Sequence, residues 1–322
     1  MMMFLRTKLI LLAALVAIAA SASVELADVS SRYGASDAPL TAKPATTLFL
    51  HGLNGNAGQF NTMMGRMNAT FGANAPAMHS LPLFESSASL ETPLATQRDA
   101  IVAYLCQNAE SLDLAGGFNF VAHSQGALLA RTVIQALPSN FTVKALISMA
   151  GPQLGQWGMC PMAKQFLNSS IIKGLTRDAG WLALYNSIAQ AHLSFANYWN
   201  DPNHQTMFAD FNHFLPVHNN LVDHPDSAAY KDAFLRIERG VFLGSDGDDC
   251  ISPPLSTVFQ FLDTSDAVVQ MEATREYKED TFGLKTLDER GGLVLGSPPG
   301  HNHNSWLGDE QLFNKYVAPN LL

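Results

Sequence analysis

The chain's reactive side chains gather in a few short stretches, and the most telling runs Phe118-Asn119-Phe120-Val121-Ala122-His123-Ser124-Gln125-Gly126. An apolar, β-leaning run ends at a serine, and an Ala/Leu-rich helical pattern, Ala127 to Arg131, follows at once. A serine at the tip of a tight strand-to-helix turn is lifted clear of the sheet edge as a nucleophile. The turn demands small neighbours two residues before and after, here Ala122 and Gly126. A helix starting behind Ser124 offers a positive dipole end and free backbone N–H groups to an oxyanion, with Gln125 as one donor. The bland reading is a serine N-cap on an ordinary helix.

A nucleophilic serine needs a base and an orienting acid, in the chain order Ser, Asp/Glu, His. Downstream lies Gly244-Ser245-Asp246-Gly247-Asp248-Asp249-Cys250-Ile251-Ser252-Pro253, in which Asp246, Asp248 and Asp249 all qualify by position. The spacing of a calcium loop is absent, because no glutamate closes a twelve-residue ligand pattern. Nearer the C-terminus, Gly300-His301-Asn302-His303 lies in a Gly/Pro-rich loop, where a general base belongs. His301 and His303 could instead pair on a metal, but no third ligand stands at diagnostic spacing, so no metal is expected. Upstream, Thr46 to Leu50 leads into His51-Gly52-Leu53-Asn54-Gly55. Leu53 is the candidate second oxyanion donor on this flexible loop.

The elements that carry these residues alternate. Strands are predicted at Thr46–Leu50, near Ala77–Leu83, at Phe118–His123, at Val143–Ala150, at Gly240–Leu243 and at Leu293–Leu295. Helical patterns fall between them, at about Phe60–Met67, from Thr92-Pro93 onward, and after Ser124. A last amphipathic helix covers about Asp309–Val317. Such alternation indicates an α/β fold with a mostly parallel central sheet and flanking helices. Together with the serine turn it gives the α/β-hydrolase fold as the expectation. Between Gly151-Pro152 and Lys231 the alternation breaks down, and the segment holds Trp157, Trp181 and Trp199. A helical cap over the site is expected at about 152–231, within one domain covering 45–322. The three tryptophans are candidate walls of an acyl channel.

Composition narrows the function. The 322 residues carry a formal charge of −9, which argues against nucleic acid as a partner. A hydrophobic share of 47% with 15% charged residues describes a globular chain with a large core. Arg6 and Lys8 precede an apolar run, Leu9 to Ala20, and then Ser21-Ala22-Ser23. This pattern reads as a cleavable signal peptide at 1–22 followed by a polar leader at 23–44. The run is short beside the roughly 20 residues of a membrane span, so no stable transmembrane anchor is expected. Cys106, Cys160 and Cys250 allow at most one internal disulfide. Sequons at Asn68, Asn140 and Asn168 are candidate glycan acceptors.

One further stretch is more specific than any of these. Ala196-Asn197-Tyr198-Trp199-Asn200-Asp201-Pro202 resembles the Tyr-Trp-x-Asp-Pro motif of the palmitoyl-protein thioesterases. Ser124-Gln125-Gly126 resembles that family's nucleophile turn, and Gly283 to Asp288 with Gly292-Leu293-Val294 resembles its segment before the histidine. The resemblance runs from His51 to Pro319. It implies a serine thioesterase that removes long-chain acyl groups from S-palmitoylated proteins or peptides, with no cofactor, in the lysosome or secreted. It also implies Asp248 as the acid, since the family's Asp-x-x-(Ile/Val)-x-Pro matches Asp248 to Pro253. The family's histidine loop reads Gly-x-His, whereas here His301 follows Gly300 directly and Asn302 stands in the histidine's place. His301, nearest the glycine turn, is the expected base and His303 the alternative. Cys106 and Cys160 sit where relatives have disulfide cysteines, but the usual partners are missing. Two other functions remain open: an oxygen-ester lipase with the same triad, and a catalytically inactive lipid-binding homologue.

Overall fold

The computed structural model describes residues 43–158 and 177–322; the signal peptide, nearly all of the leader, Cys160 and Asn168 lie outside them. Six strands form the central sheet: β1 (Thr46–Leu50), β2 (Met78–Ser80), β3 (Phe118–His123), β4 (Val143–Met149), β5 (Arg239–Leu243) and β8 (Leu293–Gly296). They lie in the order β2-β1-β3-β4-β5-β8, and every neighbouring pair is parallel. A separate antiparallel pair joins β6 (Phe261–Leu262) to β7 (Val268–Val269).

Parallel strands covered on both faces must be apolar on both. β1 and β3 are buried at every residue, Phe49, Phe118 and Phe120 completely. Helices α1 (Asn61–Phe71), α2 (Leu94–Gln107) and α3 (Gln125–Ala136) connect the early strands. Pro93 stands at the N-cap of α2, where its missing N–H is not needed. Helix α3 is the central one. Eleven of its twelve residues are buried, so the helix behind Ser124 is clamped between the sheet and the elements outside it.

Because all six strands are parallel, the carboxyl ends of β1, β3, β5 and β8 share one edge of the sheet, and the strand order reverses between β1 and β3. This is where ligands bind in open α/β sheets. Between β4 and β5 the described chain is helix and loop, including α4 (Gly180–Leu184), α5 (Ser187–His192), α6 (Gln205–Phe211) and α7 (Ser227–Leu235). Within this segment an isolated parallel bridge pairs Gln156 with Trp199. The last helical stretch is shorter than its pattern suggests. It is one turn, Glu310–Leu312, continuing as a π-helical turn over Phe313–Val317. Among the described residues no helix is long and apolar enough to cross a membrane.

Candidate active site

Ser124 occupies the turn between β3 and α3 with φ 57° and ψ −133°, a backbone state few non-glycine residues adopt. The neighbours show why the turn is built of small residues. A Cβ on Gly126 would lie 2.3 Å from the carbonyl oxygen of His51, and one on Gly52 would lie 2.6 Å from the Cβ of Ser124. The turn is pinned from below by the Ser124 N–H, which donates to the Met149 carbonyl at 2.9 Å.

A cavity of about 460 Å³ opens over this turn. Ser124, Leu53 and His303 all line it. Gln125 is the first residue of α3, so its backbone N–H belongs to the unpaired donors of a helix start. Its side chain does different work. It is buried, donates to the Ser89 carbonyl at 2.9 Å and accepts from the Ser194 hydroxyl at 2.8 Å, tying the turn to the segment between β4 and β5.

Asp248 follows β5 and its side chain is fully buried. One carboxylate oxygen accepts the N–H groups of Cys250 and Ile251, each at 2.8 Å, and the other accepts Nδ1–H of His303 at 2.9 Å. That bond fixes the tautomer of a neutral His303 ring and leaves Nε2 as its unprotonated nitrogen. The expectation that His301 meets the acid is corrected. Its ring is part-exposed, its Nδ1 lies 3.8 Å from Asp309, and its backbone N–H is held by the Ser245 hydroxyl at 2.9 Å. The loop therefore carries its buried histidine one position later than the Gly-x-His spacing. The other two acids grip the same loop from beneath. Asp246 accepts the Gly300 N–H at 2.7 Å, and Asp249 accepts the His303 N–H at 3.1 Å. Gly247 allows the contact, since a Cβ there would lie 2.7 Å from the Gly300 carbonyl carbon.

The tryptophans need a second correction. Among the described residues the cavity wall includes none of Trp157, Trp181 or Trp199 and is instead formed by Phe195, Tyr198, Ile251 and Leu307. Trp157 and Trp199 are completely buried in the same hydrophobic cluster as the sheet residues Leu48 and Phe120, the latter tryptophan under Gly180, while Trp181 stacks on His204 at 4.3 Å. An indole has the largest apolar surface to hide, and here the main hydrophobic core takes it. The Asp201 of the Tyr-Trp-x-Asp-Pro stretch is likewise structural, bonding His204 Nδ1 at 2.9 Å. Asn68 and Asn140 are exposed.

Two residues at the site went unread. His123 is buried beside His303, with ring centroids 4.7 Å apart, and Gln59 bonds its Nδ1 at 3.0 Å. A histidine closing a mostly apolar, fully buried strand was the available signal.

With this arrangement established, comparison with known proteins is informative. The family profile described as palmitoyl protein thioesterase matches residues 46–303. The lysosomal thioesterase PPT2 of Mus musculus is 31% identical over 276 residues, covering 84% of this chain and 86% of that protein. Palmitoyl-protein thioesterase 3 of Dictyostelium discoideum is 34% identical over 184 residues, 56% of this chain and 60% of its own. Among solved structures, the RedJ thioesterase of Streptomyces coelicolor aligns over 88% of both chains with a TM-score of 0.42 and 13% identity. The chain belongs to the palmitoyl-protein thioesterase family, with an α/β-hydrolase fold and the thioester-hydrolase activity that defines the family.

Proposed function

We propose that the protein removes long-chain, palmitoyl-type acyl groups from the cysteines of S-acylated proteins or peptides, with Ser124, His303 and Asp248 as its triad. The observation that carries this reading is the buried Asp248–His303 pair, whose histidine lines the same cavity as Ser124 and Leu53. Ser124 Oγ bonds to the thioester carbonyl carbon while its proton passes to Nε2 of His303. The C–S bond then breaks, and the protonated imidazole returns the proton to the departing thiolate. Water, deprotonated by the same nitrogen, frees the fatty acid and regenerates the serine. Asp248 holds the ring and balances its transient positive charge. The backbone N–H groups of Leu53 and Gln125 receive the oxyanion; losing one such donor typically costs ~10²–10³ in turnover. Every step runs on this chain's own side chains and backbone.

A thiolate leaves readily, so substrate choice rests on the acyl chain. Phe195, Tyr198, Ile251 and Leu307 supply apolar wall, and the cavity volume lies within the roughly 300–1,000 Å³ usual for small-ligand sites. The leader pattern, the exposed sequons at Asn68 and Asn140 and the lysosomal names of the PPT2 relatives support entry into the secretory route and delivery to the lysosome. The test is turnover of matched palmitoyl thioesters and oxygen esters by the purified protein beside Ser124→Ala. Serine-dependent thioester hydrolysis is expected; ester preference would point to a lipase, and no serine-dependent turnover to an inactive lipid binder.

A further inference from the structure

The site is built from four pieces of chain, the loops after β1, β5 and β8 and the serine turn, and one side chain bonds or adjoins three of them, the β1 loop, the serine turn and the β8 loop. His123 stands at the end of β3, immediately before Ser124, and is 2% exposed. Its Nε2 lies 2.8 Å from the backbone carbonyl oxygen of His303. A carbonyl only accepts, so Nε2 must carry the proton and donate it. A neutral ring then has a lone pair at Nδ1, and Gln59 meets it at 3.0 Å with its amide nitrogen, a donor. Gln59 belongs to the loop after β1, three residues beyond Asn56 and six beyond Leu53. The chain of contacts therefore runs from the oxyanion loop, through the residue before the nucleophile, to the main chain of the general base.

The ring must stay neutral for this to work, because an imidazolium would lose its Nδ1 lone pair and face the positive charge His303 gains during turnover. Burial and the neighbouring His303 push its pKa down to about 3, which keeps the ring neutral in neutral and mildly acidic solution.

We propose that His123 is a positioning residue for acyl transfer: locked in one tautomer by Gln59, it holds the backbone of His303 so that the imidazole sits between Asp248 and Ser124. The inference rests on the triad reading above. Asp248 and Asp249 hold the His303 side chain and N–H from one side, and His123 holds its carbonyl from the other. A base displaced by a fraction of a bond length loses rate without losing substrate.

The experiment compares His123→Phe, which keeps a ring but removes both hydrogen bonds, with His123→Gln, whose amide restores the donor. Steady-state kinetics on a palmitoyl thioester, the rate of serine labelling by a fluorophosphonate, and thermal unfolding are read on each. His123→Phe should lower kcat and the labelling rate about 10- to 100-fold with KM unchanged, and His123→Gln should recover most of that loss. The far-downfield proton resonance of the His303–Asp248 bond should weaken in the phenylalanine variant and return in the glutamine one. Wild-type kcat in folded His123→Phe, a loss appearing in KM, or failure of glutamine to restore rate in a folded protein would each overturn the proposal. If His123→Phe does not fold, Gln59→Leu decides instead. A smaller fall in kcat supports the proposal, and unchanged kcat overturns it. Retained turnover in Ser124→Ala or His303→Ala would instead defeat the triad reading, whatever His123 does.

Discussion

The two histidines of the C-terminal loop stand two positions apart and differ in everything that matters chemically. His303 is buried against a carboxylate that already accepts two backbone N–H groups, whereas His301 faces the surface near Asp309. His303→Ala should therefore cut kcat on acyl thioesters by about 10³-fold or more, since a triad member removed alone forfeits most of the catalysis. His301→Ala should stay within a few-fold of wild type, because its backbone N–H, and not its ring, is what Ser245 holds. Single-turnover rates on the two variants separate these outcomes. The serine was readable because the turn writes its needs locally, as small residues two before and two after. The choice between His301 and His303 was not, because it depends on hydrogen bonds reaching 54 to 56 positions back along the chain, from Asp246, Asp249 and Ser245.

Helix α3 shows how much of the site is held by its supports. The Gln125 side chain bridges the short helix Ala88–Glu91 at Ser89 and the segment between β4 and β5 at Ser194, and Arg131, one turn and a half further on, is fully buried. Its guanidinium donates to Gln153 Oε1 at 2.7 Å and to Asn219 Oδ1 at 2.8 Å, and lies over the ring of Phe282. Gln125→Ala should lower unfolding free energy by about 1–3 kcal/mol, the usual cost of stranding buried partners. It should reduce turnover far less than Ser124→Ala, because the oxyanion donor proposed at this position is its backbone N–H. Chemical denaturation with parallel kinetics checks both. The strands and the post-strand loops of this framework followed from apolar runs and turn residues. The role of the tryptophans did not, because a large side chain's direction is decided by what packs around it; Trp199 lies where Gly180 leaves room.

The molecule as a whole encloses ionisable groups that respond to acid in opposite senses. His218 is buried between Arg98 and Gln135, and burial with nearby Arg98 and Arg131 drives its pKa well below the ordinary histidine value. His123 behaves likewise, at about 3. From pH 6.5 downward the unfolded chain takes up protons that the folded chain refuses, so each group withdraws stability as pH falls, by at most ~1.4 kcal/mol per pH unit. Glu276 acts the other way. Burial raises its pKa, so the folded chain holds a proton more readily there, and its contribution grows as pH falls through the folded value. Two groups against one predict a thermal midpoint that declines between pH 7 and pH 5, with His218→Gln giving a shallower decline. Calorimetry across that range tests it; a flat wild-type profile would contradict it.

The grip of the acid loop on the base loop has a consequence for how such an enzyme can be altered. Asp246, Ser245 and Asp249 hold the loop at Gly300, His301 and His303 in turn, and Gly247 packs flat against it. The two loops thus form one interchangeable cassette. A homologue's acid loop grafted without its partner would leave the histidine with no seat, while exchanging both together keeps the register intact. A residue gained on one side of the cassette is tolerable because the other side supplies the peg on which it hangs.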